Sequence, residues 1–225
     1  MNEILMGVTI LVSFLIILGV YKYQGLFGLY CLVPIFYIIA NIQVIKQVDL
    51  FNYPLALGDV AICSVVLIGD LITENYSKRK AKKVIFLGFL TTAIITIMMT
   101  LTIKFEPNSQ DFAQESIKTI FSFTPRILIA SLISYIFSET IEINLYAYIK
   151  KYFPKTRDLW IRNNVSGLIS AFIDSMLVSF LMFYGTFPVM YILKIALASY
   201  VIKAIVSVID TPFVYVSKII KPKEL

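Results

Sequence analysis

The chain has 225 residues, 59% hydrophobic and 15% charged, with a mean hydropathy of +0.83; soluble domains carry roughly 25% charged residues, so a water-soluble globular protein is excluded and a polytopic membrane protein indicated. With about 20 apolar residues needed per crossing, such a chain holds six or seven membrane helices and little else, as one integral membrane domain over residues 1–225. Histidine is absent, which removes the usual metal ligand and general base together, and the net charge of +6 comes from basic residues at span ends, where membrane orientation explains it better than nucleic acid.

In chain order, the first predicted span is Ile4 to Val20, preceded only by Met1, Asn2 and Glu3. It lacks a positive leader and small residues at its end, so it reads as a retained helix and not a cleaved signal. The second runs from Gly25 to Ile45. The third, Leu55 to Asn75, places Asp59, Asp70 and Glu74 within about 60° of one another around the helix axis, so its acids form one stripe. The basic run Lys78-Arg79-Lys80-Ala81-Lys82-Lys83 follows. The fourth span, Val84 to Ile103, is apolar and threonine-rich and reads as a lipid-facing support. Phe112, Ser116 and Ile117 in the polar segment after it suggest a short interfacial helix.

Thr124-Pro125 reads as the N-cap and first turn of the fifth span, with Arg126 in its opening turn. This span continues to Ile149 and contains the chemically densest stretch of the chain: Tyr135, Ser138, Glu139, Glu142 and Tyr146 share one stripe, with Leu132, Ile133 and Ile136 outside it. Each carboxylate near mid-membrane costs roughly 2.5 to 3.5 kcal/mol to insert, so acids kept there are expected to have a use. The sixth span, Arg162 to Tyr184, carries Asn163, Gly167, Ser170 and Asp174 on a second polar stripe. The seventh, Pro188 to Val216, carries Lys203, Ser207 and Asp210 on one side and Lys194 opposite.

Basic residues test the alternation. The loops after odd-numbered spans hold Lys22, then the run Lys78 to Lys83, then Lys150, Lys151, Lys155, Arg157 and Arg162, and finally Lys218, Lys221 and Lys223; the other side holds Lys46, Lys104 and Lys118. The fold expected is therefore an all-α helical bundle of seven transmembrane helices, with the N-terminus outside and the C-terminus cytoplasmic. At similar depth a buried acid and base should pair, so Lys203 is expected to meet Asp174 or Glu139. Asp59 and Glu74, nearer the interface, read as ties between helices. Arg126 lies about 140° from Glu139 on the same helix, and both it and Lys194 are long enough to snorkel outward.

A set of motifs carries a family resemblance: Leu67-Ile68-Gly69-Asp70-Leu71-Ile72-Thr73-Glu74-Asn75-Tyr76, Pro125-Arg126-Ile127 with Ala130-Ser131 and Tyr135, Leu159-Trp160-Ile161-Arg162-Asn163-Asn164 with Ser166 and Asp174-Ser175, Phe183-Tyr184-Gly185 with Phe187-Pro188, and Tyr200 to Lys203 with Asp210-Thr211-Pro212. Together, in this order, they resemble the queuosine precursor transporter family, also called the vitamin uptake transporter family. In that likeness the first span is an N-terminal addition present in some members. The resemblance implies uptake of a 7-deazaguanine: the 7-cyano or 7-aminomethyl base, or queuine. Asp70, Glu74, Arg126, Ser131, Tyr135, Asn163, Asp174 and Lys203 fall on family motif positions. Glu139 stands where the family usually has Gln, Glu142 where it has Asp, Gly167 where it has Thr, Ala171 where it has Gln, and Asp59 where Asn is frequent.

The chemistry suits such a ligand. A guanine-like base presents N1–H and N2–H₂ side by side, a donor pair that one carboxylate, Asp174 or Glu139, accepts in bidentate fashion. Lys203, Asn163 or Ser170 can donate to its carbonyl, and Tyr135 can stack on its ring. With Arg126, Asp70 and Glu142 these residues make up the candidate substrate site. The partners expected are the deazaguanine, the lipid bilayer of the cytoplasmic membrane and a second copy in a homodimer, with no nucleic acid and no cofactor.

No Gly-x-x-x-x-Gly-Lys-Ser/Thr loop is present, so the chain does not itself use ATP. Two alternatives stay open: a substrate-binding subunit of an energy-coupled uptake complex, and an intramembrane enzyme using Asp70 with Asp174. The second lacks the Gly-x-Gly-Asp setting favoured by aspartyl chemistry of that kind, since position 67 is Leu.

Overall fold

Gly25 decides how the chain begins. Helix α1 (Asn2–Gln43) is interrupted there by φ 54° and ψ −138°, a conformation open to glycine and strained for any residue with a Cβ. The two arms fold back on each other: a Cβ placed on Gly28 would lie 2.6 Å from Cγ1 of Val20, eight residues earlier, a span that would be about 12 Å long in a straight helix. The far ends agree. Asn2 Nδ2 donates to the carbonyl of Asp49 at 3.0 Å and the N–H of Phe51 donates to Glu3 Oε1 at 3.2 Å, so the start of α1 lies beside the segment that follows its end. The first two predicted spans are thus a helical hairpin with almost no loop.

That following segment is an antiparallel pair, β1 (Gln47–Leu50) and β2 (Tyr53–Ala56), in register Gln47↔Ala56 through Leu50↔Tyr53. Phe51 and Asn52, both with positive φ, make the two-residue turn whose twist suits a hairpin. The all-α expectation omitted this element. Its strands are too short for period-two alternation to stand out from the apolar sequence on either side.

The structure, a computed structural model, describes residues 1–153, 159–220 and 222, without the side chains at positions 78, 139, 142–143, 146–147, 150, 159–160, 162–164, 207–208 and 211. The remaining helices are α2 (Gly58–Asn75), α3 (Lys78–Ile103), α4 (Gln114–Phe121), α5 (Thr124–Tyr152), α6 (Leu159–Phe183), α7 (Val189–Ile209) and α8 (Thr211–Ile219). Among the described residues, five stretches are long and apolar enough to cross a membrane: Asn2–Gln43, Arg79–Ile103, Gln114–Ser138, Val165–Phe183 and Val189–Val206. The protein is a helical membrane protein. The chain divides into two compact units, one of Met1–Leu128 with Val206–Leu225, the other of Ile129–Ile205.

In the first unit the α1 hairpin packs on α2, α3 and α8. Phe14, Ile17, Leu29 and Val33 of α1 and Leu67, Ile68, Leu71 and Ile72 of α2 are wholly buried. Helix α3 is capped by Ser77, whose hydroxyl accepts from the N–H of Lys80, and begins at Lys78, six residues before the predicted start at Val84, because the basic run continues the helix out of the apolar part. Thr91, Thr92, Thr96 and Thr102 bond back to the carbonyls of Leu87, Gly88, Thr92 and Met98, four residues earlier, so these hydroxyls carry no unmet polarity toward lipid. Phe86, Leu90, Ile94, Ile97 and Leu101 form an exposed stripe, as the lipid-facing reading requires. Ser116 and Ile117 lie on the short helix α4, but Phe112 precedes it and is 95% exposed.

The second unit is built on small residues. Ala130, Ser134 and Ser138 of α5 and Ser166, Ser170, Ser175 and Ser179 of α6 are buried, as are Ala196 and Ser199 of α7, while Leu132, Ile133, Ile136 and Phe137 point outward. Small side chains let apolar helices approach closely where no hydrophobic effect drives them together. Gly185, with φ 82°, makes the tight turn between α6 and α7.

The predicted seventh span is not one helix. It breaks at Asp210 into α7 and α8, because Pro212 has no N–H to continue the ladder and its ring crowds the preceding turn.

Candidate functional site

In the second unit, Lys203 of α7 donates from Nζ to Asp174 Oδ2 of α6 at 2.9 Å. The two side chains are 17% and 31% exposed, so the charges are largely withdrawn from solvent yet each is matched. Of the two acids considered for Lys203, the described geometry gives it Asp174. Either charge alone among apolar helices would carry an uncompensated desolvation cost of several kcal/mol. The pair leaves Asp174 Oδ1 as a further acceptor.

Around the pair, Ser170 is buried one turn before Asp174 and its hydroxyl donates to the carbonyl of Gly167 at 3.0 Å. The rings of Phe172 and Tyr200 meet edge to face at 5.4 Å, closing α6 onto α7. Tyr135 is half-buried on α5, and Ser138 donates to its carbonyl at 3.2 Å. The hydroxyls of Ser134, Ser175 and Ser199 are buried without hydrogen-bond partners among the described residues. The side chains of Glu139, Glu142 and Asn163, all expected in the site, lie outside the described residues.

Arg126 and Asp70 belong to the first unit. Arg126 is half-buried in the opening turn of α5, as its position after Thr124-Pro125 predicts. Asp70 is exposed on the acidic stripe of α2. Glu74, four residues on, pairs with Lys218 of α8, and the bond holds the Lys218 ammonium above its ordinary lysine range. Asn75 Nδ2 donates to Ser217 Oγ at 2.8 Å, and Phe213 meets Phe14 edge to face at 5.0 Å. These contacts fix α8 against α2 and α1. Sequence reading expected Glu74 to be a helix tie but missed its partner. The signal was Ser217-Lys218, seven and eight residues after Asp210, hidden by treating the segment as one span. Lys194 is exposed, in keeping with an outward-reaching lysine.

An acid–base pair enclosed between apolar helices is a feature that membrane transporters use. Relatives agree with that class. The family described as "Putative vitamin uptake transporter" matches residues 56–217. The protein named "Probable queuosine precursor transporter" from Bacillus subtilis (strain 168) is 35% identical over 214 residues, which is 95% of this chain and 93% of the relative. No solved structure matches. The chain belongs to the vitamin uptake transporter family, the one its motifs resemble. That relative is matched over too much of its length to lack the α1 hairpin altogether.

Proposed function

We propose that this transporter carries a queuosine precursor, a 7-deazaguanine, inward across the cytoplasmic membrane by alternating access, and that the Asp174–Lys203 pair is the centre of its substrate site. The observation that carries the reading is this pair, held between two apolar helices in a chain whose relative is named for queuosine precursor transport. Asp174 accepts the N1–H and N2–H₂ edge of the base while Lys203 donates to its carbonyl; in the empty site the two neutralise each other. Ser170, Asn163 and Tyr135 complete the recognition of the ring. Arg126, Asp70 and Glu142 are the remaining candidate substrate residues.

Glu139, a carboxylate where the family usually has an amide, turns preference toward bases bearing a protonated amine, the 7-aminomethyl base and queuine. Seven spans, with the N-terminus outside and the C-terminus cytoplasmic, fit the hairpin at Gly25, which puts Lys22 at the same end of the first unit as Tyr76 and Lys80: Tyr21 meets Tyr76 edge to face at 6.4 Å and Tyr30 donates to the carbonyl of Lys80 at 2.8 Å.

The chain is tested alone in a host that neither makes nor imports these precursors, by assaying queuosine in its tRNA after each base is fed. Rescue is expected without partner subunits, with Asp174→Asn and Lys203→Ala each losing it and Glu139→Gln moving the ranking toward the 7-cyano base. No rescue by the wild type with any of the three bases would overturn the substrate assignment, and an unchanged ranking in Glu139→Gln the role given to Glu139.

A further inference from the structure

Asp210 closes α7 and stands at the N-cap of α8, where an aspartate ordinarily accepts a backbone N–H from the second or third helical residue. Its side chain makes no such bond. The N–H groups of Phe213 and Val214 go instead to its backbone carbonyl, at 2.8 and 3.0 Å. The residue is 3% exposed, and Oδ2 is buried with no hydrogen-bond partner among the described residues. An ionised carboxylate in that state carries a desolvation cost that nothing around it offsets.

What it faces is another acid. Along α1, Tyr21 lies level with Tyr76 at the end of α2, and Phe14, two turns earlier, lies level with Phe213. Helix α8 therefore runs alongside α2 in the same direction, reaching Asn75 and Glu74 with Ser217 and Lys218. Five residues back from Asn75 is Asp70, about 7.5 Å away along the axis; seven back from Ser217 is Asp210, about 10.5 Å. The two carboxylates fall at neighbouring levels, Asp70 one turn before Glu74 on α2 and Asp210 two turns before Ser217, on the faces by which α2 and α8 meet. Asp70 is exposed and Asp210 closed off, so the pair has one open member and one shut.

Among the described residues, these ionisable groups of the surrounding elements have other partners. Lys218 is taken by Glu74 and lies 6.0 Å from the Tyr215 ring; Lys22 lies over Tyr23; Tyr21 packs against Tyr76; and Lys203, two turns before Asp210 on α7, is bonded to Asp174. Two carboxylates facing each other in such a setting do not both stay ionised.

We infer that Asp70 and Asp210 hold one shared proton and form the site through which the proton gradient of the membrane drives substrate uptake. The inference rests on the transport reading above. A proton from outside water forms one O–H bond on one carboxylate, which then donates to the other. Its departure to cytoplasmic water breaks that bond and restores like-charge repulsion across α2 and α8. One proton thus crosses with the substrate, and the α7–α8 junction is the part that responds to its presence.

The test uses the purified full chain in proteoliposomes, with the 7-cyano base, the 7-aminomethyl base and queuine as probes. Exchange without a gradient reports transport itself. Accumulation under an acid-outside gradient, with a pH dye trapped inside, reports coupling. The wild type is expected to accumulate substrate above the outside level and to acidify the interior only when substrate is present. Asp210→Asn is expected to lose both, relative to the exchange measured in the same vesicles, and Asp210→Glu to keep both. Accumulation and acidification by Asp210→Asn equal to the wild type would overturn the assignment, as would wild-type accumulation driven by a sodium gradient without acidification. If Asp210→Asn is not recovered folded, the dye signal of the wild type decides, and its absence during net accumulation under the acid-outside gradient overturns the proposal. Absence of exchange by the wild type with every base would instead remove the transport reading.

Discussion

Asp174 and Lys203 make the sharpest case at the scale of single residues. Each charge is tolerable among apolar helices because the other stands 2.9 Å away. Breaking the pair by Asp174→Asn or Lys203→Met is expected to lower stability by a few kcal/mol, at or below the about 3 to 5 kcal/mol of a fully buried pair, since both side chains are partly exposed. The double variant Asp174→Asn with Lys203→Met should recover most of that loss while restoring no uptake, because neutral partners relieve desolvation but offer no charged edge to the ligand. Thermal unfolding in detergent, run beside the tRNA assay, checks both halves. Additive losses in the double variant would show that the two charges do not support each other. The pairing was legible in the sequence, since an acid and a base at similar depth on adjacent apolar segments have few other ways to be accommodated. The choice between Asp174 and Glu139 was not, because both lay at suitable depth and only interhelical geometry separates them.

For the elements, the periodicity of polar positions told which face of α5 would be enclosed, while on α2 the acidic stripe is exposed at Asp70 and Glu74. It did not tell where helices stop or turn. Leu132, Ile133 and Ile136 face outward on α5 as the stripe analysis required, and Ser138 is buried. The reversal at Gly25 and the break at Asp210 each depend on one or two residues in a run that otherwise reads as helix. Glycine at 25 is needed for its φ of 54°, and Gly25→Ala is expected to cost about 1 to 3 kcal/mol through backbone strain alone. Hydrogen exchange should then rise through residues near the turn, from Tyr21 to Leu29. Unchanged exchange and an unchanged melting temperature would mean that the hairpin is closed by other contacts. Gly88 meets a different demand: a Cβ there would lie 2.1 Å from Cζ of Tyr37, so its bareness lets α3 approach the second arm of α1.

Taken whole, the molecule is one whose basic residues and hairpins describe the same alternation. In the first unit, Asn2 and the β1–β2 hairpin share one end, while Tyr21, Tyr76, Lys80 and Lys218 share the other. A fluorescent protein fused after Leu225 is therefore expected to mature and fluoresce in the cytoplasm, while alkaline phosphatase fused there stays inactive; the reverse pattern would invert the orientation. Composition, spacing and charge bias by themselves determined that this chain lives in a membrane, which faces of its helices are polar, and that a mid-span base would meet an acid. These are local or statistical properties, written within a few turns of helix. The tertiary structure alone decided that α1 doubles back, that the last span divides, and that α8 lies along α2, which brings Asp210 near the level of Asp70. Those outcomes depend on single-residue kinks and on the register between helices distant in sequence, which no periodicity within one segment encodes.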